Sequence, residues 1–146
     1  MKNKLVCHFT SVSENEALAR MIAASFVAPY DPTLGELSDI KTVVSEAVTN
    51  AIIHGYNEEG FHEVCMKLSM ENRILTIEIE DHGKGISELT EAMQPLYTSR
   101  PDMERSGMGF TIMEHFMDQV EVNSFEDQGT IVKMVKQLSA VKANCM

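Results

Sequence analysis

Basic side chains are scarce in this 146-residue chain, where 12 lysines and arginines face 22 aspartates and glutamates for a formal charge of −10. That shortage argues against a nonspecific nucleic-acid binder and against an anionic-membrane binder, since both need a basic footprint to displace counterions from phosphates. Long apolar runs are also missing. The longest charge-free stretches, such as Met21 to Tyr30 and Ala47 to Asn57, are about half the ~20 apolar residues of a membrane span, and the N-terminus lacks an apolar signal-peptide core. A soluble, cytoplasmic protein is expected. Cysteine is sparse, and Cys7, Cys65 and Cys145 are odd in number, widely spaced and without a CxxC pair. Neither a disulfide framework nor a zinc site follows, and they read as ordinary reduced thiols. No repeat, low-complexity tract or Pro/Gly/Ser linker divides the chain. Residues 1–146 therefore read as one domain, whose 44% hydrophobic composition supports a core without a disulfide or metal staple.

What is present is a sequence of changing periods. Residues 4–10 read as a strand, and Ser13-Glu14-Asn15-Glu16 has the form of a helix capping box. The helix that follows runs to about Val27, with Leu18, Met21, Ile22 and Phe26 as its apolar stripe and Glu16 with Arg20 on another face. A second box, Thr33-Leu34-Gly35-Glu36, opens a helix to about His54, buried along Leu37, Ile40, Val44, Ala47, Val48 and Ala51. The period then changes to two. Val64, Met66, Leu68 and Met70, then Leu75, Ile77 and Ile79, alternate with polar neighbours across a turn at Glu71-Asn72-Arg73, which predicts a hairpin.

A glycine-interrupted segment from Asp81 to Gly109, broken by Pro95 and Pro101, leads to a helix over Phe110 to Met117. Two closing strands, about Gln119 to Ser124 and Thr130 to Gln137, flank a turn at Glu126 to Gly129. Strict alternation buries one face of each strand, so helices cover one face of the sheet. The expected fold is an α+β two-layer sandwich with a mixed, mainly antiparallel sheet.

Four motifs fall in order on these elements: Glu46-Ala47-Val48-Thr49-Asn50 on the long helix, Asp81-His82-Gly83-Lys84-Gly85 at a strand end, Ser106-Gly107-Met108-Gly109 entering a helix, and Gly129-Thr130 entering the last strand. Glu46, Asn50 and His54 share one helical strip off the apolar stripe. Gly83 and Gly85 allow the backbone to approach a ligand closely. Gly107 and Gly109 precede a helix, whose first amides are unpaired and partly positive and so suit phosphate. Each motif alone has a bland reading as solvated face or turn. Their joint occurrence in this order supports nucleotide binding.

In this combination the chain resembles the ATPase superfamily of gyrase, the heat-shock chaperone, histidine kinases and MutL, whose N, G1 and G2 boxes and terminal Gly-Thr match the four motifs. The runs KTVVSEAVTNAIIHGY and ERSGMGFTIME, the short length and the missing histidine-bearing dimerisation helix resemble its serine-kinase anti-sigma factors, in particular those of sporulating bacilli. The resemblance spans about residues 4–137 and implies a Bergerat-type ATP-binding fold.

It implies roles residue by residue. Asn50 would bind Mg²⁺, and Glu46 would take the proton of an attacking serine hydroxyl. Asp81 would accept a hydrogen bond from the adenine amino group, with Thr130 supporting the same base. Gly83 and Gly85 would let the main chain close on ATP, while Gly107 and Gly109 would present amides to its phosphates. Residues 86–106 would form a lid. Arg105, with Arg100 second, would meet the γ-phosphate charge, a role that suits a planar guanidinium. Lys84, His54 and His82 receive no catalytic role.

The resemblance therefore implies a Mg·ATP-dependent protein serine kinase that sequesters a sporulation sigma factor and phosphorylates an antagonist protein, working as a homodimer. Glu16 and Arg20 are the candidate partner face. Two alternatives stay open at this point, a non-catalytic ATP-dependent sequestering switch and a stand-alone histidine-kinase catalytic domain.

Overall fold

The computed structural model describes residues 1–57, 59–85 and 109–140, and the elements below are those of the described residues. Strand β1 (Asn3–Thr10) leads into helix α1 (Glu14–Val27) and a single 3₁₀ turn at Ala28–Tyr30. Helix α2 (Leu34–Asn50) continues as a π-helical turn over Ala51–Gly55. The hairpin β2 (Glu63–Glu71) and β3 (Ile74–Asp81) follows, then helix α3 (Gly109–Phe116) and the hairpin β4 (Gln119–Phe125) and β5 (Gly129–Gln137). The five strands form one sheet in the order β1-β2-β3-β5-β4. The sheet is mainly antiparallel as expected, and among the described strands wholly so.

The two-layer arrangement follows from the alternation. Val64, Met66, Leu68 and Met70 of β2 and Leu75, Ile77 and Ile79 of β3 are buried, and they form one core with Ile40, Val44, Ala47 and Val48 of α2. The opposite face of the sheet carries a row of alternating charge, in which Lys67 pairs in register with Glu78, and Lys133 with both Glu78 and Glu121. Asn72 and Arg73 both take positive φ, +54° and +62°, as a two-residue hairpin turn between right-twisted strands requires.

The two capping boxes behave differently. Around α2 the box is complete, with the Glu36 amide donating to Thr33 Oγ1 at 3.0 Å and the Thr33 amide donating to Glu36 Oε1 at 2.9 Å. At α1 the expected box does not form. Ser13 itself has helical backbone angles, makes no side-chain cap, and donates to Glu14 instead. A cap needs an extended backbone for its hydroxyl to reach the third amide.

The apolar stripe of α1 is also rotated from the expected one. Ala19, Ala23 and Val27 are fully buried, whereas Leu18 and Met21 are 50% and 55% exposed. Small residues four apart let α1 lie close along α2, and this packing overrides the larger side chains. No helix among the described residues is long and apolar enough to cross a membrane.

Candidate functional site

Two clusters form the site. The first stands at the C-terminal end of β3. Asp81 is 6% exposed and pairs in register with Thr130 of β5; with Ser11 these are the buried polar or charged residues among those described. The Gly83 amide donates to Asp81 Oδ1 at 2.9 Å, and the Ser124 and Thr130 hydroxyls share a hydrogen bond of 2.7 Å. Burial raises the Asp81 carboxyl to about 6, despite the Gly83 amide, His82 and the Thr130 amide favouring its charge.

The walls of this cluster are backbone. A Cβ on Gly55 would sit 2.7 Å from Asp81 Oδ1, and one on Gly83 only 2.0 Å from the Gly55 carbonyl oxygen, to which Lys84 also donates its amide at 3.0 Å. Gly85 holds φ of +74° against the Phe125 carbonyl. The Tyr56 hydroxyl accepts from the His82 amide at 2.6 Å and donates to the Glu63 carbonyl at 2.8 Å, fixing the chain on either side. A buried carboxylate surrounded by bare main chain suits the N–H edge of a flat neutral group.

The second cluster is built of helices. Glu46 and Asn50 stand one turn apart on α2 and are both half-buried. The first residue of α3, Gly109, packs against them. A Cβ there would lie 3.2 Å from Asn50 Nδ2, 3.3 Å from Glu46 Oε2 and 3.4 Å from Asn50 Oδ1. The start of α3, whose first amides have no partner within the helix, is thus set beside a carboxylate and an amide oxygen. Such a combination can hold anionic oxygens, a hard cation and a transferable proton together.

The structure therefore brings Asp81, Gly83, Gly85 and Thr130 together at one cluster, and Glu46, Asn50 and Gly109 at the other. Gly107, Arg105, Arg100 and the expected lid over 86–106 lie outside the described residues. His82 is exposed and 3.7 Å from Glu80. Glu16 and Arg20 form an i,i+4 pair at 3.7 Å, and Glu16 also accepts the Ser45 hydroxyl, which ties α1 to the turn of α2 that carries Glu46.

Three site residues escaped the sequence reading. Gly55 registers in sequence only as a helix stop, Tyr56 as an aromatic after it, and Ser124 as the end of a strand. Their roles depend on Asp81 and Thr130, which are distant in sequence. The only local hint is Gly55-Tyr56 directly after the strip of Glu46, Asn50 and His54.

Comparison with known proteins identifies the family and the fold. Residues 9–136 match the family described as histidine kinase-like ATPase domain. Among relatives, the anti-sigma F factor of Oceanobacillus iheyensis is 56% identical over 142 residues, covering 97% of each chain. That of Bacillus subtilis is 52% identical over 145 residues, covering 99% of each. Among solved structures, the RsbU and RsbW domains of Rv1364c from Mycobacterium tuberculosis superpose with a TM-score of 0.70 at 15% identity, covering 95% of this chain and 33% of that one. The histidine kinase domain of the E. coli osmosensor EnvZ gives 0.51 at 16% identity, covering 95% and 92%. These two likenesses speak to the fold.

Proposed function

The chain belongs to the histidine kinase-like ATPase family and, within it, to the anti-sigma F factors, and on that premise we propose that it is a Mg·ATP-dependent protein serine kinase that also sequesters a sporulation sigma factor. Its phosphorylation target is the antagonist protein that frees the sigma factor. The whole chain, 1–146, acts as one ATP-binding unit, works as a homodimer and is cytoplasmic. ATP binding follows from the family. The catalytic half of the reading is carried by one observation, the packing of Gly109 against both Glu46 and Asn50.

The residues present fit the nucleotide. Asp81 accepts from the adenine amino group, and Thr130 supports the same base with its hydroxyl held by Ser124. The backbone of Gly83 and Gly85 lines the base. At the other end Gly109, with Gly107, offers amides to the phosphates, and Arg105 meets the γ-phosphate. Asn50 supplies a hard amide oxygen for Mg²⁺, which when bound neutralises charge on the phosphates.

In the transfer, the serine oxygen attacks the γ-phosphorus and forms the new P–O bond. The bond from that phosphorus to the β-phosphate oxygen breaks, and ADP leaves with the electron pair. The serine proton passes to Glu46, a role supported by its place on α2 one helical turn from Asn50. The protein partners engage the α1 face bearing Glu16 and Arg20.

The reading is tested with labelled Mg·ATP, the protein and host extract. Expected is one labelled protein carrying acid-stable phosphoserine, with a sigma factor copurifying with the kinase. Acid-labile label would point to phosphohistidine instead. Replacement of Glu46 by Gln should abolish labelling while ATP still binds; continued transfer would remove Glu46 as the base.

A further inference from the structure

Three polar side chains form one row at the end of the sheet. Asp81 of β3 pairs in register with Thr130 of β5, and Thr130 pairs with Ser124 of β4. Asp81 continues the alternation of Leu75, Ile77 and Ile79, so the row lies on the face covered by the helices. Asp81 and Thr130 are buried, and Ser124 is half-buried at the outer end. Thr130, in the middle, has a hydroxyl that can turn its proton to either side.

The surroundings of Ser124 decide which way it turns. Ser124 and Thr130 share a hydrogen bond of 2.7 Å, to which either can give the proton. Ser124 Oγ also lies 3.4 Å from the Gly129 carbonyl oxygen, which can only accept. That contact is long, and it serves here only to choose between two hydroxyl rotamers. Among the described residues, the hydrogen bond with Ser124 is the only one the Thr130 hydroxyl makes. Both protons are satisfied when Ser124 donates to the Gly129 carbonyl and Thr130 donates to Ser124. Thr130 then turns a lone pair, and no proton, towards Asp81.

We propose that Ser124 is a positioning residue for base selection: by taking the Thr130 hydroxyl proton it leaves Asp81 and Thr130 as two adjacent acceptors, which admit the 6-amino group of a purine and refuse a 6-oxo group. The inference rests on the base reading of Asp81 above and adds what makes the choice of base sharp. The two protons of an amino group point about 120° apart, so acceptors each ~2.9 Å from its nitrogen stand about 5 Å from one another. Directly opposed side chains of an antiparallel pair have Cβ atoms ~4.5–5.5 Å apart, which is the relation of Asp81 to Thr130. At pH 7.5 the Asp81 carboxyl, raised by burial to about 6, is ionised and accepts only. A 6-oxo group brings a third acceptor to this place, where burial keeps water from compensating the mismatch.

The test uses the full chain at pH 7.5 with Mg²⁺ and isothermal titration calorimetry. It compares ADP with inosine diphosphate (IDP), which carries an oxygen at C6 and a proton on N1; diphosphates avoid turnover. The parent should bind ADP at least about a hundredfold tighter than IDP. In Ser124→Ala the Thr130 hydroxyl can turn its proton to a 6-oxo group, and the preference should narrow by about tenfold, chiefly through tighter IDP binding. Ser124→Thr, which returns a hydroxyl, should restore the parent ratio. In a Thr130→Val background the Ser124→Ala change should leave the ratio where it is, since the effect passes through Thr130.

An unchanged ratio in Ser124→Ala, an equal loss for both nucleotides, or a wider preference would each overturn the proposal; the last would set the hydroxyl against a ring nitrogen instead. So would a shift that survives in Thr130→Val. If Ser124→Ala loses its fold by circular dichroism, Ser124→Cys, a far weaker hydrogen-bonding partner, carries the same test. Asp81→Asn separates this inference from the reading beneath it, because its amide can donate to a 6-oxo group. If that variant keeps the ADP preference, the base reading of Asp81 falls and this proposal with it. If it collapses the preference while Ser124→Ala does not, only the role of Ser124 falls.

Discussion

The two ends of the site are made of different material. Around Asp81 the walls are main chain, brought so close that Gly55 and Gly83 leave no room for a single extra carbon. Around Glu46 the working groups are side chains on α2, and a Cβ on Gly109 would meet them at 3.2 to 3.4 Å, which is tight but yielding. Recognition of a fixed flat group can be built into backbone once and left rigid. Transfer of a phosphoryl group needs groups that admit two reactants and let products leave, and helix side chains allow this without disturbing the sheet. Added bulk at the first end should therefore appear as lost stability and affinity, and damage at the second as lost rate.

The largest separation is expected from Glu46→Gln. Loss of a general base should cut the turnover of serine phosphorylation by about 10²- to 10⁴-fold, with ATP affinity from equilibrium dialysis within about twofold of the parent. A matching fall in affinity would break the division of labour. Gly83→Ala acts on the other end. Its new methyl collides with the Gly55 carbonyl at 2.0 Å, and the overpacking should cost about 3 kcal/mol in urea unfolding and abolish ATP binding.

Asp81→Asn sharpens the contrast through pH. Burial raises the folded carboxyl to about 6 from its ordinary value of 3.8, so between these values the folded state binds more protons than the unfolded one. Stability from this group is full below about pH 4, is lost as pH rises to about 6, and then stays lost. The penalty is about 3 kcal/mol at neutral pH, from ~1.4 kcal/mol per pKa unit. The Asn variant should thus melt higher than the parent at pH 7.5, with the gap closing towards pH 4, while binding ATP more weakly. In the parent, ATP affinity should fall below pH 6 as the acceptor is protonated. A melting difference independent of pH would show that the charge is not what the fold resists.

The smallest effect belongs to Gly109→Ala, where the new methyl meets only the far ends of the Glu46 and Asn50 side chains. Stability should change by less than about 1 kcal/mol, and turnover should drop while ATP affinity holds. A stability loss equal to that of Gly83→Ala would erase the distinction between the two ends.

How far the molecule was legible follows the same divide. The alternating strands were readable because period two is a local signal, and Val64 through Ile79 bury the face it assigns. The capping box at Thr33 was readable for the same reason. The box at Ser13 was not, because Glu16 is drawn to Ser45 across the helix pair and to Arg20 one turn along α1, and Ser13 takes a helical backbone. The stripe of α1 misled because Leu18 and Met21 outweigh alanines in any hydropathy pattern, whereas close helix packing selects Ala19 and Ala23. At the site, Glu46, Asn50, Asp81 and Thr130 were marked by motif. Gly55 was not, since its importance is a distance to a carboxylate on another element.

The ladder that ends in Asp81 and Thr130 joins β3 to β5, strands far apart along the chain, whereas β2 and β3 meet across a two-residue turn. Hairpins of that kind close in about 1–10 μs, while pairings across long loops carry a larger closure entropy. In refolding, the hairpin should form early and the β3–β5 seam late. Competence to bind ATP would then arise at the last step, so nucleotide added during refolding should capture the finished chain without hastening the steps before it.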